Sequence, residues 1–365
     1  MTAREREERI GAEAAAGGRL NTARRRGRAR WTLGVTMASV LLVSGCVGGA
    51  SPCQNAPGAA VVDTGAHAFD SATRDDDEFN RLFRHEFADV DGVRMHYVTG
   101  GSGDPLVLLH GWPQTWYAWR GIIPALAQKY TVYALDLPGL GDSEGAPPSY
   151  DKATLARFVH RLLADQLGLR SIRLVAHDLG AGVGFQYAAQ YPTEVSKYAH
   201  LDYPLPGPAL SAARYREFSW HMAFHHQPRV PEAVVANDVR EYLALFYPYV
   251  AYGGTSFGGP GAQSPFTDEQ VDEFARTYNR PDVLSGGFDL YRTLDQDEHD
   301  NVAAGPITTP TLLMTAEGLL ESTRLTVEPR MANITRAVEV PGAGHWLVEE
   351  NPAFVTNELL TFLAD

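Results

Sequence analysis

The segment Val175-Ala176-His177-Asp178-Leu179-Gly180-Ala181 sets a carboxylate where an apolar strand breaks into a helix, with the small residues Ala176 and Gly180 two positions to either side. Such a turn holds its central side chain exposed above a sheet and leaves the next backbone N–H, that of Leu179, free to stabilise an oxyanion. A carboxylate there suits attack on a saturated carbon, and the resulting ester is opened by activated water in a second step. The same Asp178 also suits the plainer role of capping the following helix. Two further segments favour chemistry. His110-Gly111-Trp112-Pro113 ends the apolar run Pro105–Leu109, where a second oxyanion donor is needed. Pro341-Gly342-Ala343-Gly344-His345-Trp346 puts a histidine in a Gly-rich turn near the C-terminus, within reach of the strand break.

Other patterns imitate sites. Gly141-Asp142-Ser143-Glu144-Gly145 matches a serine elbow letter for letter, but Ala146-Pro147-Pro148-Ser149 follows where a helix would have to start. Gly180, Gly182 and Gly184 hint at a dinucleotide loop, yet the third glycine is misplaced and Asp178 would face the pyrophosphate. His221, His225 and His226 have metal-like helical spacing, but no Glu follows His221 as a metalloprotease helix requires, so packing or substrate contact is expected and no metal.

The elements that must position these residues alternate. Strands are predicted at 85–91, 93–99, 105–109, 131–136, 172–176, 198–201, 311–314 and 337–340, the first two joined by the hairpin turn Asp91-Gly92. Helices are predicted at 116–129, 152–167, 180–191 and 352–363, giving an α/β architecture with helices on both faces of a mostly parallel central sheet. Between 205 and 305 the period turns wholly helical, with segments at 211–226, 231–249, 268–279 and 287–295, which reads as a helical cap inserted after the sixth core strand. The core thus comprises 83–204 and 306–365.

Composition bounds the rest. The chain has 365 residues, 44% hydrophobic and 21% charged, which excludes disorder over its whole length. Both cysteines, Cys46 and Cys53, precede the core, so no thiolate metal site, disulfide framework or cysteine nucleophile serves it. The net charge of −13 hides nine Arg and four acids in residues 1–31; the remainder is more acidic still and should repel nucleic acid. That basic stretch runs into the apolar Trp31–Val43, too short to span a bilayer, and reads as the signal peptide (1–45) of an exported protein. Val43-Ser44-Gly45-Cys46 resembles a bacterial lipobox, which implies lipidation of Cys46 and membrane anchoring, with residues 46–82 as tether.

Residues 83–365 resemble the epoxide hydrolases of the α/β-hydrolase fold, through HGWPQTWYAWR (110–120), DLPGLGDS (136–143), VAHDLGA (175–181) and GAGHW (342–346) in family order. They are similar in particular to the secreted Cif-like branch, in DGVRMHYVTGG (91–101), LVAHD (174–178) and GHWLVEE (344–350). The resemblance implies Asp178 as nucleophile, His345 as general base, and Trp112 and Leu179 as backbone oxyanion donors. It implies Asp202, in Leu201-Asp202-Tyr203-Pro204, as the acid that supports His345, with Glu317 as the alternative. His221 and Tyr291 match the His/Tyr pair that assists ring opening, although both also suit a packed helix face. A small-molecule epoxide is the implied substrate, without a cofactor. Related dehalogenases use the same ester chemistry, but haloalkane dehalogenases carry Trp where this chain has Leu179, and haloacetate dehalogenases carry Arg there and at the place of Gly182. An inert binding protein on the same fold is the remaining alternative.

Overall fold

The computed structural model describes residues 77–364. The expected signal peptide, Cys46 and most of the expected tether lie outside them. Only the end of that stretch, residues 77–82, is described. Asp77–Leu82 is a helix, and Phe79 is buried with its ring stacked 4.5 Å from Phe83 and tilted against Trp116 at 5.8 Å. Burying an aromatic ring at that point draws the segment onto the core.

Eight strands form one sheet: β1 Phe83–Val90, β2 Val93–Gly101, β3 Asp104–Leu109, β4 Tyr130–Leu135, β5 Ile172–His177, β6 Val195–Leu201, β7 Thr311–Ala316 and β8 Ile334–Val340. Their order is β1-β2-β4-β3-β5-β6-β7-β8; β2 is antiparallel to both neighbours and all later pairs are parallel. Asp91 and Gly92 both take positive φ (49° and 83°), the backbone that a tight hairpin between right-twisted strands demands. Residues Leu106–Leu109 of β3 are completely buried, as expected of a central parallel strand covered on both faces. The carboxyl ends of β3, β5, β6 and β7 therefore lie side by side, and the candidate residues cluster just beyond them.

Several predicted helices divide. The segment 116–129 becomes a 3-10 turn, Trp116–Trp119, and a short helix, Ile123–Leu126, because three aromatic rings bury on different sides of the first turn and Pro124 must occupy a helix start. The segment 152–167 starts under an Asp151 cap, runs to His160, and continues as a π-turn to Gln166. In the cap, 211–226 breaks at Ser219, whose backbone is extended (φ −150°, ψ 148°), into Ala212–Phe218 and Trp220–His226. The segment 231–249 splits into Val230–Val235 and Val239–Val250, and 287–295 is the junction of Pro281–Arg292 with Leu294–Ala304. Helices Leu320–Val327 and Leu347–Glu350 carry too few periodic apolar residues to be read from sequence. No helix among the described residues is long and apolar enough to cross a membrane.

A buried ion pair ties cap to core. Lys152 Nζ donates to Asp297 Oδ2 (2.7 Å) and to Leu290 O, while Lys152 N–H donates to Asp297 Oδ1 (2.8 Å); both side chains are 1% exposed. Leu290 O lies at the end of the helix that carries Tyr291, so the cation holds that helix over the sheet.

Candidate active site

Asp178 sits on the sharp turn between β5 and the helix Leu179–Gln190 with φ 52° and ψ −135°, a conformation that non-glycine residues rarely adopt and that functional sites retain. It does not cap the helix through its side chain. Two glycines permit the turn. A Cβ at Gly180 would lie 2.1 Å from His110 O, and one at Gly111 would lie 2.3 Å from Asp178 Oδ1. Asp178 Oδ1 accepts the Trp112 N–H at 2.8 Å, and the Leu179 N–H also points at the carboxylate. Oδ2 faces His345 Nε2 at 3.4 Å. Oδ1 thus takes a backbone donor, and Oδ2 is turned toward the imidazole of His345.

His345 is brought there by its loop. Its N–H donates to Val250 O of the cap (2.9 Å), and its own carbonyl accepts His177 Nε2–H (2.9 Å). His345 Nδ1 lies 2.7 Å from Asp202 Oδ2, and Asp202 Oδ1 accepts the Ala316 N–H at 2.9 Å. Asp202 has φ 44° at the end of β6, a turn that aims its short side chain inward across the 143-residue separation from His345. Glu317 goes elsewhere: it is exposed and accepts the Gly342 N–H at 2.6 Å.

Electrostatics follow from this packing. Burial acts against the Asp178 charge, yet hydrogen bonding and charge from His345 hold its carboxyl below the usual range. Burial likewise disfavours protonated His345, but the carboxylates of Asp178 and Asp202 on its two sides overcome that and raise its affinity for a proton. Burial pushes the His177 imidazole down to about 4, with the neighbouring His345 acting in the same direction, so His177 stays neutral and serves as a donor.

Above the carboxylate, His221 and Tyr291 descend from two cap helices, 6% and 3% exposed, with ring centroids 6.0 Å apart at 89°. Burial pushes His221 down to about 3 against the pull of the Asp178 charge, so the ring is neutral. Burial, then the Asp178 charge, raises the Tyr291 phenol well above its ordinary value, so it keeps its proton. The Tyr291 hydroxyl has no hydrogen-bond partner among the described residues. Aromatic rings of Trp112, His225 and Phe246 line the same space.

The imitators have structural roles. Ser143 is fully buried and its Oγ accepts from His96 N and donates to Asp136 O, which fixes a turn. Gly182 and Gly184 let the helix approach Lys152, Tyr203, Tyr198 and Ala176. His225 Nε2 bonds the Tyr242 hydroxyl and His226 Nδ1 bonds Tyr291 O, so the three cap histidines diverge. One group with metal-like spacing, His96, Asp136 and Asp142, is already engaged: Asp136 takes His96 and the N–H groups of Trp116 and Asp142, and Asp142 is paired to Arg276.

Sequence reading passed over three residues that shape the site. His177 adjoins Asp178 and supports the His345 loop. Glu350 accepts the N–H groups on both sides of His345, from Gly344 (3.1 Å) and Trp346 (3.0 Å), and that of Tyr252 from the cap. Lys152 had only its place at a helix start, and its partner is 145 residues away.

A family profile described as alpha/beta hydrolase fold matches residues 104–352. The chain is 34% identical over 290 residues to the soluble epoxide hydrolase of Corynebacterium sp. (strain C12), across 77% of this chain and 97% of that protein. It is 32% identical over 300 residues to a fluoroacetate dehalogenase of Burkholderia sp., across 78% and 94%. The solved structure of the Cif epoxide hydrolase from Acinetobacter nosocomialis matches with a TM-score of 0.68 at 27% identity, over 78% of this chain and 90% of that one. With an aspartate on the elbow and a histidine and second carboxylate beside it, the chain belongs to the α/β-hydrolase fold family, among its epoxide hydrolases.

Proposed function

We propose that the protein hydrolyses an epoxide to a vicinal diol through a covalent ester on Asp178. The observation that carries this reading is a carboxylate elbow faced by two neutral hydrogen-bond donors from the cap. Asp178 Oδ2 forms a bond to one epoxide carbon; the ring C–O bond breaks and its electron pair goes to the ring oxygen. His221 and Tyr291 donate to that oxygen as its charge develops, and Tyr291 gives it a proton. Alkylation removes the Asp178 charge, so His345 loses one of the two carboxylates that favoured its protonated form, gives its proton to the Tyr291 phenolate and becomes a base. It takes a proton from water while the hydroxide adds to the ester carbonyl. The resulting oxyanion forms at Oδ1, between the Trp112 and Leu179 N–H groups. Collapse releases the diol; water's second proton ends on the diol oxygen, and the proton taken by His345 stays there, beside the restored Asp178 carboxylate. Asp202 orients the imidazole and stabilises its charged form.

Halide displacement uses the same ester but differs in what leaves. A haloacetate needs a cation for its carboxylate, and position 179 holds a buried Leu. At Gly182 even a Cβ would come within 2.9 Å of Lys152 Cγ, which leaves no room for a guanidinium. Brief exposure of the purified protein to styrene oxide or, separately, chloroacetate, followed by peptide mass analysis, tests the reading. An adduct on Asp178 from the epoxide alone supports it; an adduct from chloroacetate alone overturns it. We propose further that the enzyme is exported and anchored through lipidated Cys46, on the strength of the apolar Trp31–Val43 and the Val43–Cys46 lipobox. Cys46→Ser should release it from membranes or block processing, and a mature N-terminus at any other residue refutes the anchor.

A further inference from the structure

The helix that carries His221 begins at a break between two helices, and the residue at the break touches the imidazole. Ser219 Oγ lies 2.8 Å from His221 Nδ1 and 2.8 Å from the Tyr249 hydroxyl, which comes from the helix Val239–Val250. Ser219 is 7% exposed, so its hydroxyl must be satisfied within the protein. We infer that Ser219, itself held by Tyr249, is a positioning residue that fixes His221 in the tautomer carrying its proton on Nε2. This rests on the reading of His221 as a ring-opening donor.

A neutral imidazole has one N–H and one lone pair, and the bond made by one nitrogen decides the state of the other. Burial keeps His221 neutral, so that choice is open until Nδ1 is assigned. Two directions of the chain are possible. In one, the Tyr249 phenol donates to Ser219 Oγ, whose own proton goes to Nδ1. In the other, Nδ1–H donates to Ser219, which donates to the phenol oxygen. A phenol, with a pKa of about 10, is a better donor and poorer acceptor than an aliphatic hydroxyl, and an imidazole nitrogen is the strongest acceptor of the three. The first direction puts every proton on the better donor, and each bond polarises the next. Nε2 then carries the proton and has no partner among the described residues, which frees it for the substrate oxygen.

The consequence is a change of sign. With the proton on Nε2, His221 donates to the oxygen that receives the electron pair of the breaking C–O bond; with the proton on Nδ1 it would present a lone pair to a forming alkoxide. The break at Ser219 is what makes this contact possible. Its extended backbone returns the chain between two helices and sets the hydroxyl beside the ring two residues on, where a continuous helix would carry residues 219 and 221 on different faces.

The test uses the full chain labelled with 15N-histidine, together with rapid-quench measurement of ester formation from styrene oxide as the probe. His221 in the wild type should give the Nε2–H pattern, identified by its loss in His221→Ala. Ser219→Ala should mix the tautomers and slow ester formation about tenfold, part of the 10² to 10⁴ that a general acid typically supplies, with KM little changed. Ser219→Thr keeps the hydroxyl and should restore most of the rate. Tyr249→Phe removes only the outer donor and should produce a smaller loss in the same direction. A wild-type His221 protonated on Nδ1 overturns the inference without any variant. Wild-type alkylation by Ser219→Ala alongside slow alkylation by His221→Ala overturns the inference and leaves His221 as a donor. Wild-type alkylation by His221→Ala overturns the donor reading itself.

Discussion

Asp202→Asn isolates the second half-reaction. Asp202 meets two donors at once: Oδ1 takes the Ala316 N–H at 2.9 Å and Oδ2 takes His345 Nδ1–H at 2.7 Å. An Asn has only one oxygen. If that oxygen stays on the buried Ala316 N–H, the amide NH2 faces Nδ1, the imidazole proton moves to Nε2, and the ring cannot accept a proton from water. If the amide flips instead, Nδ1 is served but the Ala316 N–H is stranded, at a cost of about 1–3 kcal/mol. Replacing a charged acceptor by a neutral one removes a further ~1 kcal/mol from the imidazolium. Together, at about 2–4 kcal/mol, these reduce the base-competent state by about 30-fold to 10³-fold, taking roughly 1.4 kcal/mol per decade. Alkylation uses Asp178, its backbone donors and the cap pair, none of which touches Asp202, so it should continue. Rapid quench with intact-mass detection should show the ester forming at close to the wild-type rate and then persisting. Glu317→Gln, which removes only the charge of the acceptor on Gly342 N–H, should leave both steps nearly unchanged. Equal slowing of both steps in Asp202→Asn, or accumulation of ester in Glu317→Gln instead, would refute the assignment.

Tyr291→Phe should slow alkylation by epoxide about 10²- to 10⁴-fold while a small reactive alkyl halide still labels Asp178; equal loss on both reagents would mean that Tyr291 only shapes the pocket. The two steps should also lose rate in acid at different pH. Asp178 is held below the ordinary carboxylate range, so it stays ionised as pH falls and alkylation fails only once pH drops through that lowered value. Ester hydrolysis needs neutral His345, whose proton affinity has dropped because Asp178 is esterified, so its rate should rise with pH and level off, and single-turnover profiles of the two phases check this. Lys152→Met should destabilise the fold by about 3–5 kcal/mol through the unpaired Asp297 carboxylate, and Lys152→Met with Asp297→Leu should recover most of the loss in urea titration; a double variant no more stable than the single would refute that account.

The legible parts of this protein are those whose signals are local. A run such as Leu106–Leu109 is apolar enough to be a buried strand wherever it lies, Asp91-Gly92 makes a hairpin by its own backbone preferences, and an Asp between Ala176 and Gly180 at a strand end marks a sharp turn. The elbow carboxylate Asp178, the His110–Pro113 loop and the histidine turn were therefore readable along the chain, as was a helical insertion between β6 and β7. Helix ends in the cap were less so, because the breaks at Ser219 and Thr293 follow from what the flanking helices pack against. The choice between Asp202 and Glu317 was of another kind. Both carboxylates follow neighbouring strands, and what separates them is backbone direction: φ 44° turns Asp202 inward onto Ala316 N–H and His345, whereas Glu317 turns outward to Gly342. The Lys152–Asp297 pair, the clasp of Glu350 on both sides of His345, and the contact of Tyr249 with Ser219 likewise belong to the tertiary structure alone. Each joins residues whose types carry no mutual signal in the chain, and their effect depends on burial, which turns an ordinary hydroxyl or carboxylate into a group that must find its partner.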